Sequence, residues 1–130
     1  MTNLVVEKTS RTPYIFFDSN KNILTVEGRS IPENSLQFYG VLFKWADTFY
    51  QESTEQKDLE VVFKLEYFNT SSSKCILDFL RKLEKLKQMD VVVKVFWFYD
   101  GRDEDMEEVG QDFKEILDLD IELVQNAEKR

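Results

Sequence analysis

The chain has 130 residues, of which 42% are hydrophobic and 32% charged, with 25 acids against 17 bases and no histidine. This composition is typical of one folded domain spanning residues 1–130. The net charge of −8 argues against nucleic acid or an anionic membrane as the main partner, because both attract clustered positive charge. The missing histidines exclude Ser-His-Asp and Cys-His catalysis and nearly all zinc sites.

We expect no targeting signal at the amino terminus. Residues 1–3 lack the charged-then-apolar pattern of a leader, and no apolar run approaches the roughly eighteen residues of a membrane span. Cys75 is the single cysteine, so no disulfide framework is possible within the chain. Together these features predict a cytoplasmic protein.

The first predicted elements are strands. Leu4-Val5-Val6 indicates at most a short edge element, whereas residues 14–17 and 23–26 are β-branched and aromatic. Between these two runs lies Asp18-Ser19-Asn20-Lys21-Asn22, which is typical of a turn. The sequence therefore predicts a β-hairpin, with its second strand ending at Gly28.

A long amphipathic helix follows at about residues 34–52. Its apolar side chains recur every three or four residues, at Phe38, Leu42, Trp45 and Phe49. Two starts are open: Ser30 with Glu33 has the spacing of a capping box, and Asn34 is an equally good N-cap. We interpret the aromatic stripe as core.

The centre of the chain joins a strand directly to a helix. Residues 61–68 predict a largely buried strand, and helical spacing resumes at Ile76. Asn69-Thr70-Ser71-Ser72-Ser73 lies between them, at the carboxyl edge of the sheet, where ligands and partners bind in α/β folds. Thr70, Ser71 or Ser72 either caps the helix or presents a phosphate-accepting hydroxyl near free N–H groups.

This second helix is basic although the chain is acidic. Its bases are Lys74, Arg81, Lys82, Lys85 and Lys87. They form either an ordinary solvated face or a contact surface for an acidic partner.

The last third of the chain predicts a parallel strand, a helix and a final strand. Residues 91–99 are almost continuously apolar, and the fifteen-residue helix before them makes a right-handed βαβ unit. Apolar spacing from Met106 to Leu117 predicts a third helix, and residues 121–124 a last strand. The fold class is therefore α/β, with a mixed sheet of four or five strands and three main helices in the order ββαβαβαβ.

The sequence gives little indication of a metal, cofactor or catalytic site. The acids between Asp100 and Asp112 lack the spacing of a calcium loop and suit a helix start instead, so we predict neither metal nor cofactor. Cys75 is expected to be a small buried hydrophobe rather than a reactive thiol. An enzyme using Asp100 and Asp103 is disfavoured, and we predict that the protein is not an enzyme. A small-ligand sensor with Tyr67, Asn69 and Tyr99 lining a pocket is the alternative function.

Several stretches between about residues 12 and 124 resemble, in the right order, the SiaC family of small bacterial phosphoproteins that regulate biofilms. The stretches are Ile31-Pro32-Glu33-Asn34-Ser35; Phe38, Tyr39, Gly40 and Trp45; Tyr67-Phe68-Asn69-Thr70-Ser71-Ser72; Trp97-Phe98-Tyr99-Asp100; and residues 103–110 with Phe113. No single stretch is a strong motif, but the ordered set is specific.

This resemblance implies a STAS-like fold, related to anti-anti-sigma factors, and a regulatory function in cyclic di-GMP signalling. Matching Asn-Thr-Ser-Ser to the family makes Thr70 the phosphoacceptor, with Ser71 and Ser72 as the less favoured hydroxyls. The implied partners are a Ser/Thr protein kinase, a PP2C-type phosphatase, and a diguanylate cyclase or other effector that binds the unphosphorylated form. The residues expected to contact partners are Glu33, Asn34, Tyr67, Asn69, Ser71 and Ser72.

Overall fold

A computed structural model describes residues 1–52 and 58–126 of the chain. Its elements, in order, are β1 Leu4–Val6, β2 Tyr14–Asp18, β3 Ile23–Ser30, α1 Ser35–Glu52, β4 Leu59–Phe68, α2 Thr70–Glu84, a 3₁₀ turn Lys85–Met89, β5 Val93–Tyr99, α3 Glu104–Ile116 and β6 Asp120–Gln125. None of the helices in these described ranges combines the length and apolarity that crossing a membrane requires.

The six strands form one mixed sheet in the order β1-β2-β3-β4-β5-β6. The first three are antiparallel, and the pairs β3–β4, β4–β5 and β5–β6 are parallel. The predicted α/β class with three helices is confirmed, but the sheet has six strands rather than four or five. The additional strand is β1, whose three residues are too few to show an alternating pattern.

All three helices pack on one face of the sheet. This face carries two rows of inward side chains that follow the strand register: Phe17, Leu24, Val61, Val95 and Ile121, then Ile15, Val26, Phe63, Trp97 and Leu123. Each helix places an aromatic ring on a strand ring: Trp45 on Phe17, Phe79 on Phe63 and Phe113 on Trp97, with centroids 4.9, 6.4 and 5.4 Å apart. The aromatic stripe of α1 is therefore core, as the sequence predicts.

The opposite face of the sheet is open and half-buried. Two of its phenyl rings lie under lysine ammonium groups, Phe98 beneath Lys64 at 4.8 Å and Phe96 beneath Lys94 at 5.5 Å from Nζ to ring centroid. Such lysines shield apolar surface with their stems while keeping the charge in water.

The edge where β4 ends is irregular. Gly28 pairs with Leu65 but the next pair is Arg29 with Tyr67, so Glu66 is an extra residue in β4. Gly28 has a φ of +125°, a backbone conformation that side-chain-bearing residues rarely adopt. The bulge reverses the alternation, and Tyr67 is 53% exposed rather than buried as the apolar run predicts.

The link between α2 and β5 is longer than the sequence predicts. After the 3₁₀ turn, Asp90 adopts a left-handed conformation with φ +60°, and the Val91 N–H donates to the Leu86 carbonyl. β5 begins at Val93, and the Val92 carbonyl just before it accepts a hydrogen bond of 2.9 Å from the Leu59 N–H of β4.

Candidate functional site

Asn69 is the N-cap of α2. It is extended, with φ −84° and ψ 172°, and its Oδ1 accepts a hydrogen bond of 2.9 Å from the Ser72 N–H. Asparagine is among the best capping residues because its short amide reaches the first-turn N–H groups. The expectation that Thr70, Ser71 or Ser72 caps this helix is therefore wrong. The three hydroxyls that follow Asn69 do different things.

The Ser72 hydroxyl belongs to a buried chain beneath the first turn of α2. It donates to the Ser30 carbonyl at 3.2 Å and accepts from the Ser30 hydroxyl at 2.8 Å. The Ser30 hydroxyl has one proton, which it donates to Ser72. The Tyr39 hydroxyl lies 2.7 Å from Ser30 Oγ and is therefore the donor in that hydrogen bond. All three side chains have no exposed surface. Ser72 is thus a structural residue that presents nothing to a kinase or a partner in this state.

Tyr39 is the titratable member of this chain. Burial raises its pKa to about 12, because a phenolate without solvent is disfavoured, while the hydrogen bond with Ser30 acts in the opposite direction. The hydroxyl therefore stays protonated as a donor under ordinary conditions.

The Ser71 hydroxyl joins the starts of α1 and α2. It donates to Asn69 Oδ1 at 3.2 Å and lies 2.7 Å from the Ser35 hydroxyl, which supplies the other proton. Asn34 caps α1, because its Oδ1 accepts from the Gln37 N–H at 3.1 Å. Of the two starts left open by the sequence, Asn34 is confirmed, and the Ser30–Glu33 capping box is wrong because Ser30 is buried at the end of β3.

Like Ser71, Thr70 is exposed at the junction. It is the first residue of α2, and among the described residues no side chain or carbonyl accepts a hydrogen bond from it. The first turn of α2 contains no acidic residue, so no carboxylate compensates the positive end of the helix dipole. A hydroxyl in this position is accessible and lies in a favourable field for an anion.

Two exposed apolar side chains flank this junction. Tyr67, displaced outward by the bulge, is 53% exposed, and Leu36 in the first turn of α1 is 69% exposed. Glu33 and Asn34 are also exposed, so four of the predicted partner-contact residues lie at the surface if Ser71 is included. Leu36 was not predicted. Its signal was available, since it lies two residues before Phe38 and therefore on the opposite side of the helix from the core stripe.

The bases of α2 and of the 3₁₀ turn that follows it divide into two groups. Lys82 is paired with Asp47 of α1 at 3.0 Å, and Lys87 with Asp118 at 2.8 Å, so these two tie the helix to its neighbours. Lys74, Arg81 and Lys85 are exposed on the outer side of the helix. The predicted basic face is thus partly structural and partly free to meet solvent.

The acidic run after β5 starts α3. Asp103 is the N-cap, with Oδ1 accepting from the Met106 N–H at 3.0 Å, and Glu104, Asp105 and Glu107 occupy the first turn. Hydrogen bonds from the Arg102 side chain and backbone hold the pKa of Asp100 below its usual range. In the described parts of the chain no group of three or more acids or cysteines is arranged to hold a metal ion. The helix-start interpretation of these acids is confirmed.

A cleft of about 1430 Å³ lies at this same edge, between the ends of β4, β5 and β6. Its walls include Lys64, Glu66, Asp100, Asp103 and Gln125. Tyr67, Asn69 and Tyr99, which the sequence suggested as a pocket lining, are not among the residues that form it. The cleft is bordered mainly by carboxylates, which disfavours an anionic ligand there.

Cys75 is buried in the core, one turn into α2. Burial raises the pKa of its thiol, and the neighbouring Asp78 acts in the same direction. A protonated, enclosed thiol is unreactive, so its interpretation as a small buried hydrophobe is confirmed.

The fold and the junction define a small α/β domain with an exposed threonine at a helix start. The sequence model of the SiaC family regulatory phosphoproteins matches residues 6–126. The chain therefore belongs to the SiaC family of regulatory phosphoproteins.

Known relatives agree with this assignment. An uncharacterized protein of Pseudomonas aeruginosa strain UCBPP-PA14 is 36% identical over 115 residues, which cover 88% of this chain and 90% of that protein. The crystal structure of apo-SiaC from Pseudomonas aeruginosa superposes with a TM-score of 0.86 at 32% identity, covering 95% of this chain and 99% of that one. The same values hold for SiaC in the crystal structure of the diguanylate cyclase SiaD in complex with its activator SiaC, from the same organism.

Proposed function

We propose that this protein is a non-enzymatic switch that binds and activates a diguanylate cyclase while Thr70 is unphosphorylated, and releases it when Thr70 carries a phosphate. The observation that carries the proposal is that different residues of the β4–α2 junction cap the helix and present an exposed hydroxyl. Asn69 performs the capping, so Thr70 keeps an exposed hydroxyl with no structural duty. The similarity to the SiaC of the SiaD–SiaC complex supports a cyclase as the effector.

The neighbouring hydroxyls support Thr70 rather than Ser71 or Ser72 as the phosphoacceptor. Ser72 is fully buried in the chain with Ser30 and Tyr39, and a kinase would have to open the core to reach it. The Ser71 hydroxyl bonds to both Ser35 and Asn69. Thr70 requires no local unfolding to enter a kinase active site.

The physical effect of the phosphate falls on the partner rather than on the fold. A phosphate adds about −1.5 to −2 charges, which the helix dipole and the absence of first-turn acids in α2 accommodate. A cyclase surface that covers Thr70 as a neutral hydroxyl would instead have to desolvate the phosphate, which is costly without a paired cation. Local charge thus controls binding without a change of fold.

The remaining parts of the proposal follow from this cycle. A Ser/Thr protein kinase adds the phosphate and a PP2C-type phosphatase removes it. The cycle runs in the cytoplasm, where the nucleoside triphosphates used by a kinase and a cyclase are found, and residues 1–130 act as one domain. The engagement of Asp100 with Arg102 and of Asp103 with Met106 leaves neither acid free for catalysis, which supports a non-enzymatic role.

The test is a cyclase activation assay with the diguanylate cyclase of the protein's own host. Cyclic di-GMP formation from GTP is measured with the unmodified protein, with protein carrying phosphothreonine at position 70, and with Thr70→Ala. We expect activation by the unmodified protein and by Thr70→Ala, and at least a tenfold loss with the phosphorylated form. Equal activation by all three forms would rule out the switch.

A phosphorylation assay assigns the hydroxyl. Protein incubated with host extract and ATP is mapped by mass spectrometry, with Thr70→Ala, Ser71→Ala and Ser73→Ala as matched variants. We expect only Thr70→Ala to lose the phosphate. Retention of the phosphate by Thr70→Ala, together with its loss in Ser71→Ala or Ser73→Ala, would move the site to that serine.

A further inference from the structure

We propose that the effector docks on the outer face of α2, and that the segment it places there is acidic. The docking surface is a stripe of three exposed bases, Lys74, Arg81 and Lys85, which we call the basic stripe. This inference rests on the proposed function and specifies the chemistry of the partner that Thr70 controls.

Helical geometry aligns the basic stripe with the phosphorylation site. Thr70, Lys74, Arg81 and Lys85 follow each other at i, i+4, i+11 and i+15, which keeps them within an arc of roughly 60° on the helix. All four side chains are exposed. The line they form is about 22 Å long, at 1.5 Å per residue, which suits one helix or extended segment of a partner.

The charges around the stripe show that it is distinct from the bases used for folding. Lys82 forms an ion pair with Asp47, and Lys87 forms one with Asp118, both at the inner margins of the helix. Among the described residues, no carboxylate lies within ion-pair distance of the three stripe bases. Asp78 is the acid on the same side of α2, one turn after Lys74, so the stripe keeps a positive net charge.

The difference in charge between the basic stripe and the rest of the molecule indicates that the partner segment is acidic. The chain carries a net charge of −8, so an acidic segment is repelled by most of the protein. It is attracted to the outer face of α2, and such complementarity fixes the orientation of a complex. A basic segment would instead be attracted to the edge lined by carboxylates such as Asp100 and Asp103.

The stripe also explains the direction of the switch. Thr70 lies one turn before Lys74, about 6 Å along the helix axis, which is within the Debye length of about 8 Å at physiological salt. A phosphate of about −1.5 to −2 charges there offsets the net positive charge of the stripe at its start. Phosphorylation therefore weakens the binding of an acidic partner, whereas it would strengthen the binding of a basic one.

The test separates the stripe from the phosphate. Arg81→Glu combined with Lys85→Glu reverses the two bases farthest from Thr70, and Lys114→Glu on the exposed face of α3 is the matched control. Affinity for the host diguanylate cyclase is measured by calorimetry at low and high salt, with thermal melting to confirm folding. We expect the double variant to bind at least tenfold more weakly, Lys114→Glu to bind like the parent, and parental binding to weaken as salt rises.

Each outcome has a separate meaning. A double variant that binds like the parent, with phosphorylation of Thr70 still abolishing binding, overturns the basic stripe and leaves the switch standing. Tighter binding by the double variant would mean a basic partner and also overturn the stripe. If no form of the protein binds the cyclase, the proposed function fails and the stripe proposal fails with it.

Discussion

Two junctions of the sheet are built alike and charged differently. After β4, Asn69 caps α2, and after β5, Asp103 caps α3, each accepting the N–H of the third residue that follows. The first turn of α3 then contains Glu104, Asp105 and Glu107, whereas that of α2 contains no acid. Carboxylates therefore compensate the dipole of α3, whereas no acidic side chain of its first turn compensates that of α2.

The two junctions also differ beneath the helix. Under α2 lies the chain of hydroxyls from Tyr39 through Ser30 to Ser72. Under α3, the indole Nε1 of Trp97 donates to the Met106 carbonyl at 2.9 Å, inside an aromatic cluster. A hydrogen-bonded chain of hydroxyls therefore lies under α2, and a packed indole ring lies under α3. Four predictions test this contrast.

The largest expected effect is the alkaline sensitivity of the α2 junction. The pKa of Tyr39 is about 12 in the folded protein and about 10 in an unfolded chain, so unfolding releases a proton between these values. Stability is therefore retained below pH 10 and falls as the pH rises towards 12, by about 2 to 3 kcal/mol in total.

Urea unfolding as a function of pH checks this with Tyr39→Phe. The variant lacks one hydrogen bond and should be about 1 kcal/mol less stable than the parent at pH 7. Because it lacks the titration, it should become the more stable of the two near pH 12. Parallel stability curves for parent and variant would refute the raised pKa. Tyr14→Phe serves as the control.

The α3 junction should be destabilised by a side chain that disturbs its packing. A methyl group at Gly110 would lie 2.5 Å from Cδ1 of Trp97 and 2.8 Å from Cδ2 of Leu123. Gly110→Ala should therefore cost about 1 to 3 kcal/mol, measured by urea unfolding. Gly40→Ala is the matched control on α1, where nothing lies within 4 Å, and it should be neutral or stabilising by up to about 1 kcal/mol. Similar losses in both variants would contradict the packing argument.

Removing either N-cap should lower the free energy of unfolding by a similar, intermediate amount. Asp103→Ala removes the hydrogen bond from the Met106 N–H, and Asn69→Ala removes those from the Ser72 N–H and the Ser71 hydroxyl. Each variant should cost about 1 kcal/mol. The exchange variants sharpen the comparison: Asn69→Asp adds a charge to an uncompensated dipole and should stabilise slightly, whereas Asp103→Asn should cost little among its acidic neighbours. Chemical unfolding of the four variants measures this. A destabilising Asn69→Asp would show that α2 does not favour an anion.

The smallest effect concerns Thr70 itself. Thr70→Glu places a carboxylate at the start of α2 and should raise the free energy of unfolding by about 0.3 to 1 kcal/mol at low salt, with the gain screened at high salt. Thr70→Gln is the uncharged control. A loss of stability in Thr70→Glu would mean that charge at this position disturbs the fold, not only the partner.

Most of the fold could be predicted from the sequence because apolar spacing reports burial directly. The β-branched and aromatic runs of β2 and β3 and the aromatic stripe of α1 identify these elements. The exposure of Tyr67 could not be predicted, because the bulge at Glu66 depends on the pairing of β4 with β3. Likewise, β1 exists through its pairing with β2 and leaves almost no local pattern.

The candidate site could be located but not resolved from the sequence. The sequence suggests Thr70, Ser71 or Ser72 as the cap, and only the backbone geometry identifies Asn69 as the N-cap. The contacts of Ser72 with Ser30 and of Ser71 with Ser35 join positions 42 and 36 residues apart, which spacing along the chain does not reveal. Leu36 was visible in the sequence as an apolar residue off the helical stripe, and it was missed.

The strand order has a consequence for how the chain acquires its structure. Because each strand pairs with the strand that precedes it in sequence, every sheet contact closes a short loop or a single helical crossover. Folds with such local connectivity lose less chain entropy before their contacts form than sheets that pair strands distant in sequence. The hydrogen bonds of the α2 junction join residues between 30 and 72, so they need no residue of β5, α3 or β6.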